Sequence, residues 1–185
     1  MKTFVRVVIY YFAIITVISC KSDADNKLVL IDNEINEQWV NKNILFPSSL
    51  KPLNLLPQKE KDSSKFNVVV YYDGNCSSCY VELNKWKVLI KEFNDSKVDV
   101  SFTFILTGMN SNLVRSYLKE IEFEHENVFF DAKEEFKKVY GFMLENNYRY
   151  SSLLVNEQNK VVFVGNLMLF KGFKDRCLEE IQKNS

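Results

Sequence analysis

The sequence has little histidine and little glycine, and both shortages exclude classes of function. Its only histidine is His125, which we interpret as a surface loop residue between Phe123 and Val128, so a Ser-His-Asp hydrolytic site has no support. The five glycines are scattered and form no loop that could cradle phosphate groups. Hydrolase and nucleotide-binding functions are therefore not supported.

Acidic residues are missing from the first 19 positions. A basic start at Lys2 and Arg6 precedes an apolar segment over 7–18 that is too short to span a membrane comfortably. The residues Val-Ile-Ser-Cys that end at Cys20 resemble a bacterial lipobox, where the signal is cut and the new N-terminal cysteine is lipidated. We predict a signal peptide over 1–19 and a lipid anchor on Cys20, the alternative being an ordinary secretory signal with a chance cysteine.

The sequence also has no excess of positive or negative charge. Lys and Arg number 24, as do Asp and Glu, and loss of Lys2 and Arg6 with the signal leaves 22 basic against 24 acidic residues, a charge of −2. Nucleic-acid binding needs a basic surface, so we expect no nucleic-acid partner. Lys21 stands where enterobacterial lipoproteins retained at the inner membrane carry Asp, so we expect the outer membrane, with the domain in the periplasm or at the cell surface.

Cysteine is scarce as well. If Cys20 carries lipid, three cysteines remain: Cys76 and Cys79, which lie close together, and the remote Cys177. This excludes a small protein framed by disulfides. A closed zinc site usually needs four Cys or His ligands, and only Cys177 and His125 are left beside the pair. We therefore predict no metal and no cofactor.

The stretch from Phe66 to Phe93 is predicted to organise the fold. The apolar, β-branched run over 66–72 is typical of a buried central strand, and Asp73-Gly74-Asn75 ends it as a turn. From Cys79 onward, apolar residues recur at three- and four-residue spacing and predict a helix of about four turns. The predicted inner face carries Leu83, Trp86, Ile90 and Phe93, and the outer face carries Glu82, Lys85, Lys87 and Lys91.

Cys76 falls at the N-terminus of this predicted helix. Unpaired amide groups and the positive end of the helix dipole favour a thiolate over a thiol at that place. Cys79, one turn further on, is predicted to face inward beside it. Trp86 is interpreted as a core residue.

Strands and helices alternate along the rest of the chain. The predicted strands are 98–106, 128–130, 151–155 and 160–164, the last two joined as a hairpin. One helix is predicted from a cap at Ser111 to about Ile121, one from Asp131 to Gly141 with Glu134 completing a capping box, and one at the C-terminus. The expected inward side chains are Leu113, Val114, Tyr117, Leu118, Phe136, Val139 and Tyr140, followed by Phe173, Cys177 and Ile181. This order indicates an α/β fold with a central mixed sheet, helices on both faces, and a C-terminal hairpin plus helix.

The motif at residues 76–79 on a strand-turn-helix, followed by the hairpin and helix, resembles the thioredoxin-like superfamily. The likeness is greatest to membrane-anchored, exported thioredoxin-like proteins and their peroxiredoxin relatives. Residues 129–141 and the hairpin over 152–161 also carry the resemblance, which spans about 66–183.

The resemblance implies a thiol-disulfide oxidoreductase outside the cytoplasm. In that family the first motif cysteine, here Cys76, attacks a disulfide, and the second, here Cys79, resolves the mixed disulfide. It also implies protein or peptide thiols and disulfides as substrates, and a redox partner that recycles the pair. Because Ser77 and Ser78 bring no charge, we expect a reduction potential nearer the reducing end.

The sequence departs from the family at the substrate groove. The family usually has a cis-proline before the hairpin strand, and Tyr150 occupies that apparent position. Since a cis bond before a residue other than proline costs about 2.5–4 kcal/mol, we expect a trans peptide and an altered groove. The groove candidates are Asn75, Ser77, Ser78, Tyr150 and Ser151. Tyr148, Arg149 and Tyr150 either border the cleft or form a plain loop.

A second departure concerns proton transfer. The strand before the motif lacks the buried acid that many thioredoxins use, and Asn75 stands where Trp commonly precedes the first cysteine. Asp73 is the candidate proton acceptor, the alternative being a solvated turn residue.

Two functions stay open at this point: the oxidoreductase, and a non-catalytic envelope lipoprotein that acts as a binding or structural module with an inert Cys76–Cys79 disulfide. The predicted organisation is a signal peptide over 1–19, a lipidated cysteine and tether over 20–35, an N-terminal extension over 36–64, and a thioredoxin-like domain over 65–185. Within the extension, residues 39–46 predict a short helix and an edge strand.

Overall fold

The computed structural model describes residues 34–53, 64–145, 148–168 and 171–184. The predicted signal peptide, Cys20 and most of the predicted tether lie outside these ranges. The chain divides into two compact units, 1–38 and 39–185, and in the first the described residues 34–38 are helical. None of the helices in the described ranges combines the length and the hydropathy that a membrane span requires.

The described residues form six strands and, after the first strand, five helices. The strands are β1 (Lys51–Pro52), β2 (Phe66–Asp73), β3 (Val100–Thr107), β4 (Val128–Phe130), β5 (Ser152–Asn156) and β6 (Val161–Gly165). The helices are α1 (Ser77–Asp95), α2 (Ser111–Glu120), α3 (Glu135–Tyr140), a 3-10 helix (Gly141–Leu144) and α4 (Lys171–Asn184).

The strands form one mixed sheet in the order β1-β4-β3-β2-β5-β6. Strands β2, β3 and β4 are parallel, β5 and β6 form an antiparallel hairpin beside β2, and β1 pairs antiparallel with β4. Because β2 lies between β3 and β5, its side chains are buried along most of its length, as its apolar run predicts. The predicted α/β fold with a mixed sheet, a hairpin and a terminal helix is confirmed.

Helices cover both faces of the sheet. Alternate side chains of a strand point to opposite faces, so β2 contributes side chains to a packed layer on each side. Val68, Val70 and Tyr72 of β2 belong to one buried cluster with side chains from α1, α2 and α4. On the other face the ring of Tyr71 meets Phe136 of α3, with 5.1 Å between centroids. The carboxyl end of β2, where α1 begins, therefore lies between two packed layers.

The predicted N-terminal extension takes part in the fold. Backbone hydrogen bonds join Asn41 and Lys42 to Val161 of β6, each at 2.8 Å, and β1 extends the opposite edge of the sheet. The edge strand is thus Lys51–Pro52 rather than a segment within 39–46. The compact unit that contains the sheet begins at residue 39, and short edge pairings of this kind leave no periodic signal in the sequence.

Two helix starts differ from their predictions. Asn110, rather than Ser111, caps α2, since its side-chain oxygen accepts hydrogen bonds from the backbone N–H groups of Asn112 and Leu113. Helix α3 begins at Glu135, and the buried Asp131 carboxylate accepts two of its backbone N–H groups at 3.0 Å each. Glu134 does not complete a capping box: it has a positive φ of 52° and pairs with a lysine of α3. Gly141 ends α3 as predicted.

The predicted inward side chains divide into two groups. The buried ones are Val114, Leu118, Phe136, Tyr140, Cys177 and Ile181. The prediction is wrong for three others, which are exposed: Leu113, Tyr117 and Val139. The side chain of Phe173 lies outside the described part. Helix α2 thus carries two apolar stripes, of which only one fits against the sheet.

Candidate functional site

The turn between β2 and α1 brings the motif to the edge of the sheet. The Gly74 N–H donates to the carbonyl of Thr107 at the end of β3, at 2.7 Å, and the Tyr80 hydroxyl donates to the Gly74 carbonyl at 2.7 Å. A β-carbon at Gly74 would lie 2.5 Å from the Thr107 oxygen and 2.7 Å from Val114, so only glycine fits there. This close approach anchors the start of α1 to two strands.

Cys76 is the N-cap residue of α1, with an extended backbone. It is half-buried, and its sulfur lies 2.9 Å from the Ser78 hydroxyl. Partial burial raises the pKa of Cys76, but hydrogen bonds to its sulfur from Cys79, Ser78 and Tyr148 outweigh this effect and lower the pKa below that of an ordinary thiol. The position predicted for Cys76 at the helix N-terminus is confirmed, and its environment favours a thiolate.

Cys79 has the opposite environment one turn along the helix. It is buried in the main core cluster, inward as predicted. Burial raises the pKa of Cys79, and its hydrogen bond to Cys76 together with the nearby charges of Cys76 and Glu82 raise it further. Cys79 therefore stays protonated at neutral pH and can donate a hydrogen bond to the Cys76 sulfur.

Tyr148 closes one side of the motif. Its ring packs edge-on against Tyr72, with centroids 5.8 Å apart, and hydrogen bonds link its side chain to both Cys76 and Cys79. Its backbone has a positive φ of 58°, and the side-chain amide of the buried Asn166 donates to its carbonyl at 2.7 Å. Burial and these contacts raise the pKa of Tyr148, so its hydroxyl is a stable donor toward the sulfurs.

Glu82 places a carboxylate behind Cys79. The Tyr72 hydroxyl donates to Glu82 at 2.6 Å, and the Trp86 ring nitrogen donates to the Tyr72 hydroxyl at 3.1 Å. Glu82 is half-buried, so its predicted place on the outer face of the helix is wrong. Trp86 is buried, as predicted. The result is an ordered polar chain that starts one turn beyond Cys79.

The predicted proton acceptor Asp73 is engaged in the turn. Its carboxylate accepts hydrogen bonds from the backbone N–H and the side-chain amide of Asn75, at 2.9 and 3.0 Å. These contacts agree with the alternative interpretation of Asp73 as a turn residue. Glu82, in contrast, is among the charges that act on Cys79.

The predicted groove residues fall into an exposed group and a buried group. Asn75, Ser77 and Ser78 are exposed around Cys76. Tyr150 and Ser151 are buried, and the Ser151 carbonyl accepts the backbone N–H of Tyr71 at 2.9 Å, so neither side chain lines a groove. Tyr148 lies against the motif instead. The described residues contain no cis peptide, so the bond before Tyr150 is trans as predicted.

The two other candidate side chains lie apart from the motif. Cys177 is buried in α4, as predicted, and burial together with the Glu180 charge raises its pKa to about 12. His125 lies in the loop before β4, half-buried, with its ring 5.1 Å from that of Phe104. Among the described residues, no three His, Cys, Asp or Glu side chains cluster so that they could hold a metal ion.

The sequence analysis missed the place of Glu82 in the site and left that of Tyr148 open between a cleft residue and a plain loop. Helical spacing puts Glu82 three residues after Cys79, and this spacing was the available signal for its place on the same face. Tyr148 gives no comparable signal, because its position depends on a hydrogen bond with Asn166, which is 18 residues away along the chain.

Comparisons with known proteins agree with this fold. A thioredoxin-like protein from Porphyromonas gingivalis is 17% identical, with a TM-score of 0.55, and the match covers 78% of this chain and 97% of that one. Peroxidoxin BcpB from Mycobacterium tuberculosis is 15% identical, with the same TM-score and coverage. Copper-bound Sco1 from yeast is 17% identical, with a TM-score of 0.50, and the match covers 76% of this chain and 94% of that one.

No protein-family model matches the chain, and no curated protein matches it. At such low identity the solved structures establish the fold, and the function must be argued from the site. The order of strands and helices and the three solved structures agree: the chain has the thioredoxin-like fold.

Proposed function

We propose that the protein is a thiol-disulfide oxidoreductase that acts on protein or peptide disulfides, with Cys76 as nucleophile and Cys79 as resolving thiol. The observation that carries this proposal is the contrast between two thiols one helical turn apart. The pKa of Cys76 is lowered and that of Cys79 is raised. An attacking thiol must be ionised and accessible, whereas a resolving thiol must wait, protonated, within bonding distance.

The reaction proceeds in two exchange steps. The Cys76 thiolate attacks one sulfur of the substrate disulfide, that S–S bond breaks, and the released substrate thiolate takes up a proton. Cys79 then loses its proton and attacks the Cys76 sulfur, which releases the second substrate sulfur. The substrate disulfide gains two electrons and becomes a dithiol, while the Cys76–Cys79 pair is oxidised to a disulfide. A separate dithiol partner would reduce the pair again.

Two neighbours assist these steps. Tyr148 donates a hydrogen bond that stabilises the Cys76 thiolate. We assign the proton released by Cys79 to the Glu82 carboxylate, whose position is held by the Tyr72 hydroxyl. Only neutral donors are among the leading causes of the lowered Cys76 pKa. We therefore place the reduction potential of the pair toward the reducing end, because strong oxidants owe their potential to a highly stabilised thiolate.

We also propose that the protein works outside the cytoplasm, anchored by lipid on Cys20 at the outer membrane. The basic start, the short apolar segment and the lipobox-like residues support this proposal. Labelling of cells with a radioactive fatty acid tests it: the wild-type chain is expected to take up label and Cys20→Ala to take up none. Label on neither chain would contradict it.

Reduction of insulin disulfides by dithiothreitol tests the enzymatic proposal. The wild-type protein is expected to accelerate this reduction. Cys76→Ser should abolish the acceleration, whereas Cys177→Ala, which alters a buried cysteine outside the motif, should retain it. Cys79→Ser should accumulate a mixed disulfide with insulin through Cys76, seen by non-reducing electrophoresis. Equal turnover by wild-type protein and Cys76→Ser would contradict the proposal. A Cys76–Cys79 bond that resists dithiothreitol would favour the structural module instead.

A further inference from the structure

Helix α2 carries a second apolar stripe, whose side chains are exposed. Met109, just before the helix, and Leu113 and Tyr117 follow one another at four-residue spacing, with exposures of 88%, 44% and 40%. Residues four apart lie on one side of a helix. Val114 and Leu118 belong to the core cluster, whereas the side chains of the exposed stripe lie largely at the surface and are available to another molecule.

This stripe borders a groove between α1 and α2. The groove has a volume of about 340 Å³, and its lining includes Tyr80, Val81 and Asn84 of α1, Tyr117 and Glu120 of α2, and Ile121 just beyond α2. The Tyr80 and Tyr117 rings both line it, with centroids 5.1 Å apart. Val81 on its wall is 59% exposed. Tyrosine, methionine and exposed aliphatic side chains grouped in this way are typical of a surface that binds another polypeptide.

The groove is continuous with the motif. Asn75 and Ser77, which flank Cys76 in the chain, both line it. The Asn75 side chain also accepts a hydrogen bond from the Met109 N–H at 3.3 Å, which connects the stripe to the turn. On the other side of the motif, Tyr148 packs against both cysteines. A chain whose disulfide reaches the Cys76 sulfur is therefore directed over Asn75 and Ser77 into the groove.

We propose that the α1–α2 groove binds the segment of the substrate polypeptide beside its reactive cysteine, and that it selects substrates with an apolar side chain there. This proposal rests on the proposed function and specifies its substrate class. The apolar neighbour inserts between Val81 and Tyr117, and the exposed amide side chain of Asn84 is placed to bind the backbone of the incoming chain. The thiol exchange steps are unchanged.

Two peptide disulfides test the proposal. They differ only in the residue beside one cysteine, which is Phe in one and Ser in the other. We expect wild-type protein to reduce the Phe peptide with a kcat/KM about tenfold higher, the scale of discrimination that an apolar pocket provides. Val81→Asn should lower this ratio below about threefold. Val88→Asn, which alters a valine of the same helix with 61% exposure outside the groove, should keep the wild-type ratio.

The outcomes separate this proposal from the proposed function. Failure of the wild-type protein to reduce either peptide would remove the proposed function itself. Reduction of both peptides at equal rates, or a ratio that Val81→Asn leaves unchanged, would overturn the groove proposal and leave the redox function standing. Tyr117→Asn, which removes an aromatic ring from the lining of the groove, gives a second test. A dimer that Val81→Asn dissociates in sedimentation equilibrium would assign the groove to a second copy of the chain and also overturn the proposal.

Discussion

The turn at the start of α1 and the middle of α4 each hold a cysteine, under contrasting conditions. Cys76 is half-buried at a helix N-terminus, surrounded by hydroxyl and thiol donors, and its pKa is lowered. Cys177 is buried among apolar side chains, and burial raises its pKa to about 12. The same side chain thus has a lowered pKa in one region and a raised pKa in the other. The position of each cysteine in its helix and the hydrogen-bond donors around its sulfur determine the direction of its pKa shift.

Alkylation by iodoacetamide gives the largest expected contrast between the two regions. At pH 7 in the reduced protein, Cys76 should react at least about 1,000-fold faster than Cys177, because a thiol with a pKa near 12 has a very small thiolate fraction and is also shielded. Peptide mapping by mass spectrometry after timed quenching measures both rates. Comparable alkylation rates of Cys76 and Cys177 in the folded protein would contradict the expected difference in reactivity.

Glycine-to-alanine substitutions test how tightly each region is packed. Gly74→Ala should lower the free energy of unfolding by about 1–3 kcal/mol, because the added methyl group meets the Thr107 carbonyl and Val114. The matched variant Gly172→Ala in α4, where an added β-carbon meets nothing within 4 Å, should raise it by about 0.5–1 kcal/mol. Urea denaturation measures both. A Gly74→Ala protein as stable as wild type would show that the turn can relax.

Glu82→Gln tests the polar chain behind Cys79. Removal of the proton acceptor should slow the second exchange step about tenfold at pH 7. The measurement is the release of glutathione from a Cys76–glutathione mixed disulfide, which requires attack by Cys79. Lys85→Gln, an exposed change on the same helix, is the control. The assignment of Glu82 fails if both variants release glutathione at the wild-type rate.

Tyr148→Phe gives the smallest expected effect. The ring is kept against Tyr72 while the hydroxyl donor is lost, so the pKa of Cys76 should rise and its alkylation rate at pH 7 should fall about threefold. At pH 10, where the thiol is ionised in both proteins, the rates should converge. Tyr117→Phe, which removes a hydroxyl on α2, serves as the comparison. A Tyr148→Phe rate below wild type by the same factor at both pH values would point to a steric effect instead.

The features that were predicted from the sequence are those that depend on local periodicity. The apolar run over 66–72 gave β2, and the three- and four-residue spacing after Cys79 gave α1 and the inward place of Cys79. The trans peptide before Tyr150 followed from the cost of a cis bond before a residue other than proline. Each of these rests on neighbours within a few positions along the chain.

The features that were missed depend on contacts between distant parts of the chain. Spacing alone cannot tell whether an apolar side chain faces the core or another molecule, and Leu113 and Tyr117 were therefore placed inward although they are exposed. The sequence also left open whether Tyr148 borders the motif, because its position depends on a hydrogen bond with Asn166, 18 residues away along the chain. The two short pairings of residues 41–52 with the sheet, at β6 and at β4, likewise have no local signature.

The most direct test of the central claim is the pH dependence of Cys76 alkylation in the reduced, folded protein. We expect the rate to follow a single ionisation with a midpoint below that of an ordinary thiol, about 8.5, because hydrogen bonds stabilise the Cys76 thiolate. Cys79 and Cys177 should remain unmodified through that transition. A midpoint at or above the ordinary thiol value would contradict the assignment of Cys76 as an activated nucleophile.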